Sequence, residues 1–262
     1  MDTADIAVIG GTGVYDIQML NNPYEAQIDT PYGKPSDAIT IGSFNGLKIA
    51  FLPRHGKKHS IPPHKLNFRA NIWALKQLGV KRIIAAAAVG SLREDVKPGD
   101  FLIPDQFIDR THGRSSTFFD GDKVAHISVA EPFCPELSRT VFETGKNKGY
   151  SMHDKGTVVV INGPRFSTKA ESKYYKNTGA DIINMTIVPE CILTREAEIC
   201  YACIATVTDY DTFSEKPVNV EDVIKVLHEN SLKTKDLVKD VLAKIPAERN
   251  CKCGEALKNA ML

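Results

Sequence analysis

The sequence predicts an α/β architecture built on a largely buried sheet, and three observations carry that expectation. Short apolar runs recur, and each stops at a glycine or polar cluster: Ile6–Ile9 before Gly10-Gly11-Thr12-Gly13, Arg82–Val89 before Gly90-Ser91, Cys200–Val207 before Thr208-Asp209-Tyr210-Asp211. Segments with helical spacing separate these runs, as in proteins that alternate strand and helix. No repeat, linker or low-complexity stretch divides the 262 residues, so a single domain, 1–262, is expected.

The elements follow in order. Ile6–Ile9 is a strand closed by a tight glycine loop, and Leu47–Pro53 is a strand ending at Arg54-His55-Gly56. Leu66–Leu78 has helical spacing and stops at Gly79; Arg82–Val89 is a strand rich in Ile and Ala. Asp100–Asp109 reads as extended, and Glu136–Lys148 as a helix after Pro135. Gly156–Ile161 is a strand ending at Asn162-Gly163-Pro164-Arg165, followed by a helix over Thr168–Thr178 and a short strand over Asp181–Asn184. A helix over Pro189–Glu198 feeds the strand Cys200–Val207, and Val220–Val241 is a long amphipathic helix. The polar segment after Ile245 is expected to be loose.

Bulk charge excludes some partners. Lys plus Arg is 33 against 32 for Asp plus Glu, a net charge of +1, so neither nucleic acid nor an anionic membrane is favoured. No run approaches the roughly 20 apolar residues of a membrane span. The first residues are acidic and pass at once into a strand, unlike a secretory leader, and a cytoplasmic location is expected.

Six cysteines, Cys134, Cys191, Cys200, Cys203, Cys251 and Cys253, all lie in the second half. A four-thiolate zinc site from Cys200-x-x-Cys203 and Cys251-x-Cys253 conflicts with strand geometry. Odd spacing sends Cys200 and Cys203 to opposite faces, so no metal is expected. The pair Cys251 and Cys253, in a polar segment with little core to serve, points instead to a hyperthermophile source and at least one intrachain disulfide, with a Cys251–Cys253 bridge as one candidate.

The chemistry concentrates at strand ends, where α/β proteins place ligands. Asp209 and Asp211 can accept from an exocyclic amine and share a proton with a ring nitrogen; Asp pairs at strand ends also serve plain turn chemistry. Gly10–Gly13 can offer backbone N–H groups and the Thr12 hydroxyl to an anion, and reads equally as a tight turn. Arg54 and His55 match phosphate oxygens, against the alternative of a solvated basic loop. Small residues at Ala87 and Ala88 let a ligand approach the backbone, or simply pack closely. Phe166 can stack on a flat heterocycle or belong to the core; Met185 can line a sugar and Thr186 donate to an anion. Together these describe a pocket for a phosphate and a purine.

Gly10-Gly11-Thr12-Gly13, Arg54-His55-Gly56, the run Ile61–Ile72, Gly90-Ser91-Leu92-Arg93, Ala130–Pro135, Gly163-Pro164-Arg165-Phe166-Ser167 and Asn184-Met185-Thr186 occur in one order over Ile6–Val241. In this the chain resembles the methylthioadenosine phosphorylase branch of the trimeric purine nucleoside phosphorylase family. The resemblance implies a three-layer α/β fold with a central mixed sheet flanked by helices, and reversible phosphorolysis of 5′-methylthioadenosine to adenine and 5-methylthioribose-1-phosphate in purine salvage. Phosphate is a co-substrate, no cofactor is implied, and the assembly is a homotrimer or homohexamer. By motif position the resemblance makes Thr12, Arg54, His55, the Ala87-Ala88 backbone and Thr186 phosphate ligands. Phe166, Ser167, Asp209 and Asp211 face the base, and Met185 the ribose; His126 reaches a neighbouring subunit's pocket.

Two positions refine this. The family usually carries a hydroxyl or amide where Ala87 stands, and one lost donor to an anion costs about 1–3 kcal/mol unless replaced. Its 6-oxopurine enzymes tend to carry Asn where Asp209 stands, so Asp209 implies a 6-aminopurine. Val220, Val223 and Ile224 share a helix face that suits a methylthio group, although core packing explains them too. The competing readings are a broad purine nucleoside phosphorylase acting on adenosine, inosine or methylthioinosine, and a nucleoside-binding protein without activity.

Overall fold

The structure, a computed structural model, describes residues 2–11, 17–211 and 220–262, with the side chains of 220–224 outside the description. Strand β1 (Ile6–Gly10) is buried at every position and lies between parallel partners, β4 (Leu47–Pro53) and β5 (Arg82–Ser91). Covered faces on both sides explain why these strands read as unbroken apolar runs rather than alternations. Outside β4 lie the antiparallel strands β3 (Ile39–Phe44) and β2 (Asn21–Ala26). The apolar pattern misses β2 because it is a sheet edge: it exposes every residue but Ala26 and tolerates Pro23.

Beyond β5 the order continues through β10 (Ile182–Asn184), β9 (Thr157–Ile161) and β7 (Gln106–Arg110). The other edge of β5 pairs with β11 (Cys200–Tyr210), which also pairs with β6 (Phe101–Leu102), and β6 with β8 (Met152–His153). The expected extended stretch Asp100–Asp109 is therefore two strands serving different branches, separated at Ile103-Pro104-Asp105.

Helices cover both faces. Helix α1 (Phe68–Gln77) and α4 (Ile187–Glu196) pack on one face through Phe68, Ile72, Leu75, Ile187 and Leu193. On the other, α2 (Pro135–Asn147) and α5 (Val220–Lys244) contribute Leu137, Val141, Leu237, Val238 and Val241. Helix α3 (Lys169–Asn177) closes the β9–β10 end with Tyr175. Its start is fixed by a capping box, in which Thr168 Oγ1 accepts from Glu171 N and Glu171 accepts from Thr168 N. Asn67 caps α1 in the same manner, accepting from Ala70 N at 3.1 Å. The expected three-layer arrangement with a mixed central sheet is thus observed. No described helix is long and apolar enough to cross a membrane.

The segment after Ile245 departs from the expected loose tail. It folds back along the α2–β11 face: Arg82 Nη2 donates to Glu248 O, Arg249 Nη1 to Glu198 O, Asn250 N to Glu136, and Leu262 N to Val124 O. Cys253 and Ala260 are buried within it. Its polar composition misleads because the contacts run through main-chain groups and cysteine, not an apolar stripe.

Helix α5 is tied to the sheet near the functional end. The fully buried Asn230 donates from Nδ2 to Val207 O at 2.9 Å, and Thr234 Oγ1 bonds back to Asn230 O. Asn230→Ala should destabilise the fold by about 0.5–1.5 kcal/mol, because it removes the side-chain hydrogen bond that ties α5 to Val207 O, which keeps its second donor, Gly99 N, at 2.9 Å. Urea unfolding would read this directly, and an unchanged midpoint would show that the anchor carries no weight.

Candidate active site

The sheet opens beside β5. Its edge pairs with β1 at Arg82–Ala85 and with β10 at Gly90 and Ser91, and among the described residues no ladder joins those between. Side chains fill that gap. Arg54 Nη1 donates to Ala86 O at 2.8 Å and Asn184 Nδ2 to Ala88 O at 2.9 Å. A strand residue turns its N–H and C=O to the same edge, so the Ala88 N–H faces the same opening. On the β11 side, the hydroxyls of Thr206 and Thr208 donate to Ala87 O and Val89 O. A cavity of about 990 Å³ lies here, its walls running from Gly11, Arg54 and His55 to Phe166, Met185 and Asp209.

A β-bulge aims the acids. Along β11 the register runs Val207↔Val89 and then Asp209↔Gly90, leaving Thr208 as the extra residue. Alternation puts Thr206 and Thr208 on the cavity wall; the bulge shifts the phase, and Asp209 and Asp211 continue that wall. Gly90 leaves room for them: a Cβ there would lie 3.2 Å from Asp209 Oδ2 and 3.0 Å from Ile183 Cγ2. Burial, opposed by the Thr208 hydroxyl at 2.6 Å and reinforced by the nearby Asp211 charge, raises the Asp209 carboxyl to about 6.

Another part of the lining carries a buried ion pair and a histidine. Arg54 is 1% exposed and meets Glu190 in a two-bonded pair, Nε to Oε2 and Nη2 to Oε1, both 2.7 Å. Tyr201 also donates to Glu190 Oε1 at 2.8 Å. Burial opposes the charge on Arg54, but the Glu190 carboxylate outweighs it, and the net shift is upward. His55 behaves differently. Burial pushes its imidazole down to about 4, so it is neutral near pH 7. Its Nδ1 donates to Ile61 O at 2.8 Å, which leaves Nε2 as an acceptor, and the ring stacks on His59 with centroids 4.5 Å apart.

Of the residues singled out from sequence, Arg54, His55, Ala87, Ala88, Phe166, Ser167, Met185, Thr186, Asp209 and Asp211 all line this one cavity. Thr12 lies outside the described residues, as do the side chains of Val220, Val223 and Ile224. Their helix face continues into the described part of α5 as Leu227, Ser231 and Thr234, which line the cavity. His126 is exposed and absent from its own chain's lining, with its N–H bonded to Ala260 O. Thr186 is partly engaged: its N–H, its hydroxyl and the Ile187 N–H all turn to Asn184 Oδ1. Sequence reasoning missed Glu190, whose signal was a carboxylate in the apolar first half of α4, and Thr206; Asn184 and Thr208 stood in the motifs singled out but had no role assigned to them.

The cysteine expectations need correction. All six thiols are free, and no disulfide joins them. Cys200 and Cys203 do face opposite ways, in the α2–α5 and α1–α4 cores respectively. However, Cys134 stands where Cys203 was imagined. It joins Cys200, Cys251 and Cys253 with all four sulfurs within 4.8 Å of one another. Cys134 is 66 places before Cys200, so no spacing rule could find it.

The buried sheet, its open strand edge and this cavity define an enzyme of the nucleoside phosphorylase fold. Residues 5–243 match the Phosphorylase superfamily, and the chain belongs to that family. It is 57% identical over 256 residues to the S-methyl-5′-thioadenosine phosphorylase of Nitrosopumilus maritimus, covering 98% of this chain and 97% of that one. It is 53% identical to the same enzyme of Thermococcus kodakarensis, covering 97% of each chain. Among solved structures, methylthioadenosine phosphorylase from an antarctic soil metagenomic library superposes with a TM-score of 0.95 at 45% identity, covering 100% of this chain and 93% of that one. The Schistosoma mansoni enzyme in complex with adenine gives 0.91 at 39% identity, covering 98% and 96%.

The raised Asp209 carboxyl has a thermodynamic consequence. Between 3.8 and about 6 the folded chain binds more protons there than the unfolded chain, so this group costs stability as pH rises through that window. Asp209→Asn removes the cost. Its stability relative to the parent should grow with pH across that window and level off above it. Parallel denaturant unfolding at several pH values would measure this, and a difference independent of pH would refute the buried-acid assignment.

Proposed function

We propose that the chain catalyses the reversible, phosphate-dependent cleavage of 5′-methylthioadenosine to adenine and 5-methylthioribose-1-phosphate. One observation carries the reading: a buried carboxyl, raised to about 6, shares a single cavity with a buried guanidinium and a neutral imidazole. The names of the relatives support it, as does the Schistosoma mansoni variant solved in complex with methylthioadenosine.

The chemistry follows from the parts. The glycosidic C–N bond breaks through an oxocarbenium-like sugar, and a bound phosphate beside it stabilises the positive charge before attacking the anomeric carbon. Arg54, pinned by Glu190, supplies a fixed cation for the phosphate without reorganising. The Ala88 N–H lies on the same open edge. With Nε2 as an acceptor, His55 takes a hydrogen bond from a protonated phosphate oxygen and so selects the form that bears a proton. Adenine leaves readily only if N7 is protonated. Asp209 is the acid, and its raised pKa keeps part of it protonated near neutrality. Asp211 assists at the base, Phe166 stacks on it, Ser167 borders it, and Met185 lies against the ribose. The inorganic phosphate is a co-substrate, and the reaction needs no organic cofactor.

Val220, Val223 and Ile224 would wall the 5′-group, with Leu227 extending that wall. An apolar wall rejects a 5′-hydroxyl only by modest factors. We read the working form as a homotrimer or a dimer of trimers in which His126 of one copy reaches the next copy's cavity; its exposure supports this. A cytoplasmic setting agrees with six free thiols.

Phosphate-dependent base release should show a higher kcat/KM for methylthioadenosine than for adenosine or inosine. A higher value for inosine would favour the broad purine enzyme, equal release without phosphate would indicate a hydrolase, and no release at all would leave a binding protein. Asp209→Asn should lower methylthioadenosine turnover by roughly 10²-fold and abolish the decline in kcat/KM expected as pH rises through the Asp209 pKa. Retention of both rate and limb would remove Asp209 from the acid role. Light scattering should give three or six chains per particle, and His126→Ala should raise KM; a monodisperse monomer with full activity would sink the shared-site reading.

A further inference from the structure

Far from the cavity, at the opposite end of β11, four cysteines converge from three separate elements. Cys134 is the N-cap of α2, Cys200 opens β11, and Cys251 and Cys253 flank the start of the short helical turn Lys252–Glu255. Every pair of sulfurs lies within 4.8 Å, and Cys200 and Cys251 are 3.3 Å apart. A disulfide needs about 2.05 Å between its sulfurs. A tetrahedral zinc with bonds of about 2.3 Å holds its four sulfurs about 3.8 Å apart, which is the scale of this cluster. Three of the four are nearly inaccessible: Cys134, Cys200 and Cys253 are 2%, 1% and 3% exposed.

We propose that Cys134, Cys200, Cys251 and Cys253 form a structural tetrathiolate zinc site that fastens the C-terminal segment to α2 and β11. Binding replaces the four thiol protons, which leave to solvent, and gives a closed site of net charge −2 with no oxidation at any sulfur. The surroundings suit that charge. Arg195 Nη1 lies 3.8 Å from Cys253 Sγ, and the Arg249 guanidinium reaches the Cys200 sulfur. Gly254 lets Arg249 in, since a Cβ there would lie 2.7 Å from its Nη2. The Leu137 N–H points at Cys134 Sγ at 3.5 Å, and the N-terminus of α2 adds its positive end. Main-chain bonds pre-set the ligands: Cys134 N donates to Tyr201 O at 2.8 Å and Cys200 N to Lys81 O at 3.0 Å. Sulfur-only tetrahedral sets favour zinc among the divalent ions without redox chemistry. The site explains why a polar segment with few apolar side chains folds back at all. It lies about 30 Å along β11 from Asp209 at the rise of an extended strand, so phosphorolysis and metal binding are separable.

The test uses the full chain, reduced, stripped with chelator and kept anaerobic. Cobalt should bind at one equivalent per chain with the thiolate charge-transfer and intense d–d bands of a tetrahedral sulfur site, and zinc should displace it. Zinc should raise the thermal midpoint by about 5 °C or more at an excess over its Kd. Cys251→Ser, at a half-buried position, should lose the cobalt bands and the zinc-dependent shift while keeping base release at low temperature; Cys191→Ala should keep all three. X-ray absorption on the unmutated zinc form, which needs no variant, should count four sulfurs. Cobalt bands surviving in Cys251→Ser, fewer than four sulfurs, or a reduced chain that takes no metal would each overturn the site. So would a mass four hydrogens short in protein purified without oxidant, because two disulfides would then occupy the same cysteines.

Discussion

The pairing of β5 with β11 is the constraint on which the rest of this structure depends. It is the longest ladder in the sheet, and two irregularities flank it, one on the other edge of β5 and one within β11. On the far edge of β5 the partners change from β1 to β10 and leave an opening. On β11 a single extra residue, Thr208, shifts the phase of the strand. The opening makes room for a ligand, and the phase shift turns two carboxylates into it. Neither works alone: without the bulge, strand alternation would send Asp209 and Asp211 to the opposite face.

Buried polar groups hold this arrangement open. Main-chain carbonyls at the opening would be costly if unsatisfied, and two have side-chain donors: Arg54 for Ala86 and Asn184 for Ala88. Arg54 in turn is fixed by Glu190, which also accepts from Tyr201 on β11. The network thus joins β4, α4, β5 and β11 around one cavity. A buried ion pair of this kind adds little net stability, but loss of either partner strands a charge in the core. Its value here is positional, since it presents a cation in one orientation.

The molecule has two ends with different demands. At the carboxyl end of β11 small residues and polar groups leave space; at its amino end sulfur and apolar side chains close it. The C-terminal segment belongs to the second end, where it covers the face formed by α2 and β11. Chain that looks dispensable by composition therefore completes a layer.

Much of this was legible in the sequence because burial on both faces writes strands as apolar runs, and strand ends are where glycine and charge collect. The α/β class, the central strands, the five described helices and most of the cavity lining follow from those signals and from the resemblance they carry. Edge strand β2 was not legible, because an edge needs no apolar pattern. Glu190 and the role of Asn184 were not, because their partners are set by three-dimensional proximity. The argument from alternation that Cys200 and Cys203 face apart was correct, yet it judged the wrong quartet. Sequence determines periodicity and local chemistry, since these act between neighbours in the chain. Only the tertiary structure decided that Cys134 meets Cys200, Cys251 and Cys253, that Arg54 meets Glu190, and that a one-residue bulge aims Asp209, because those contacts depend on how distant elements pack.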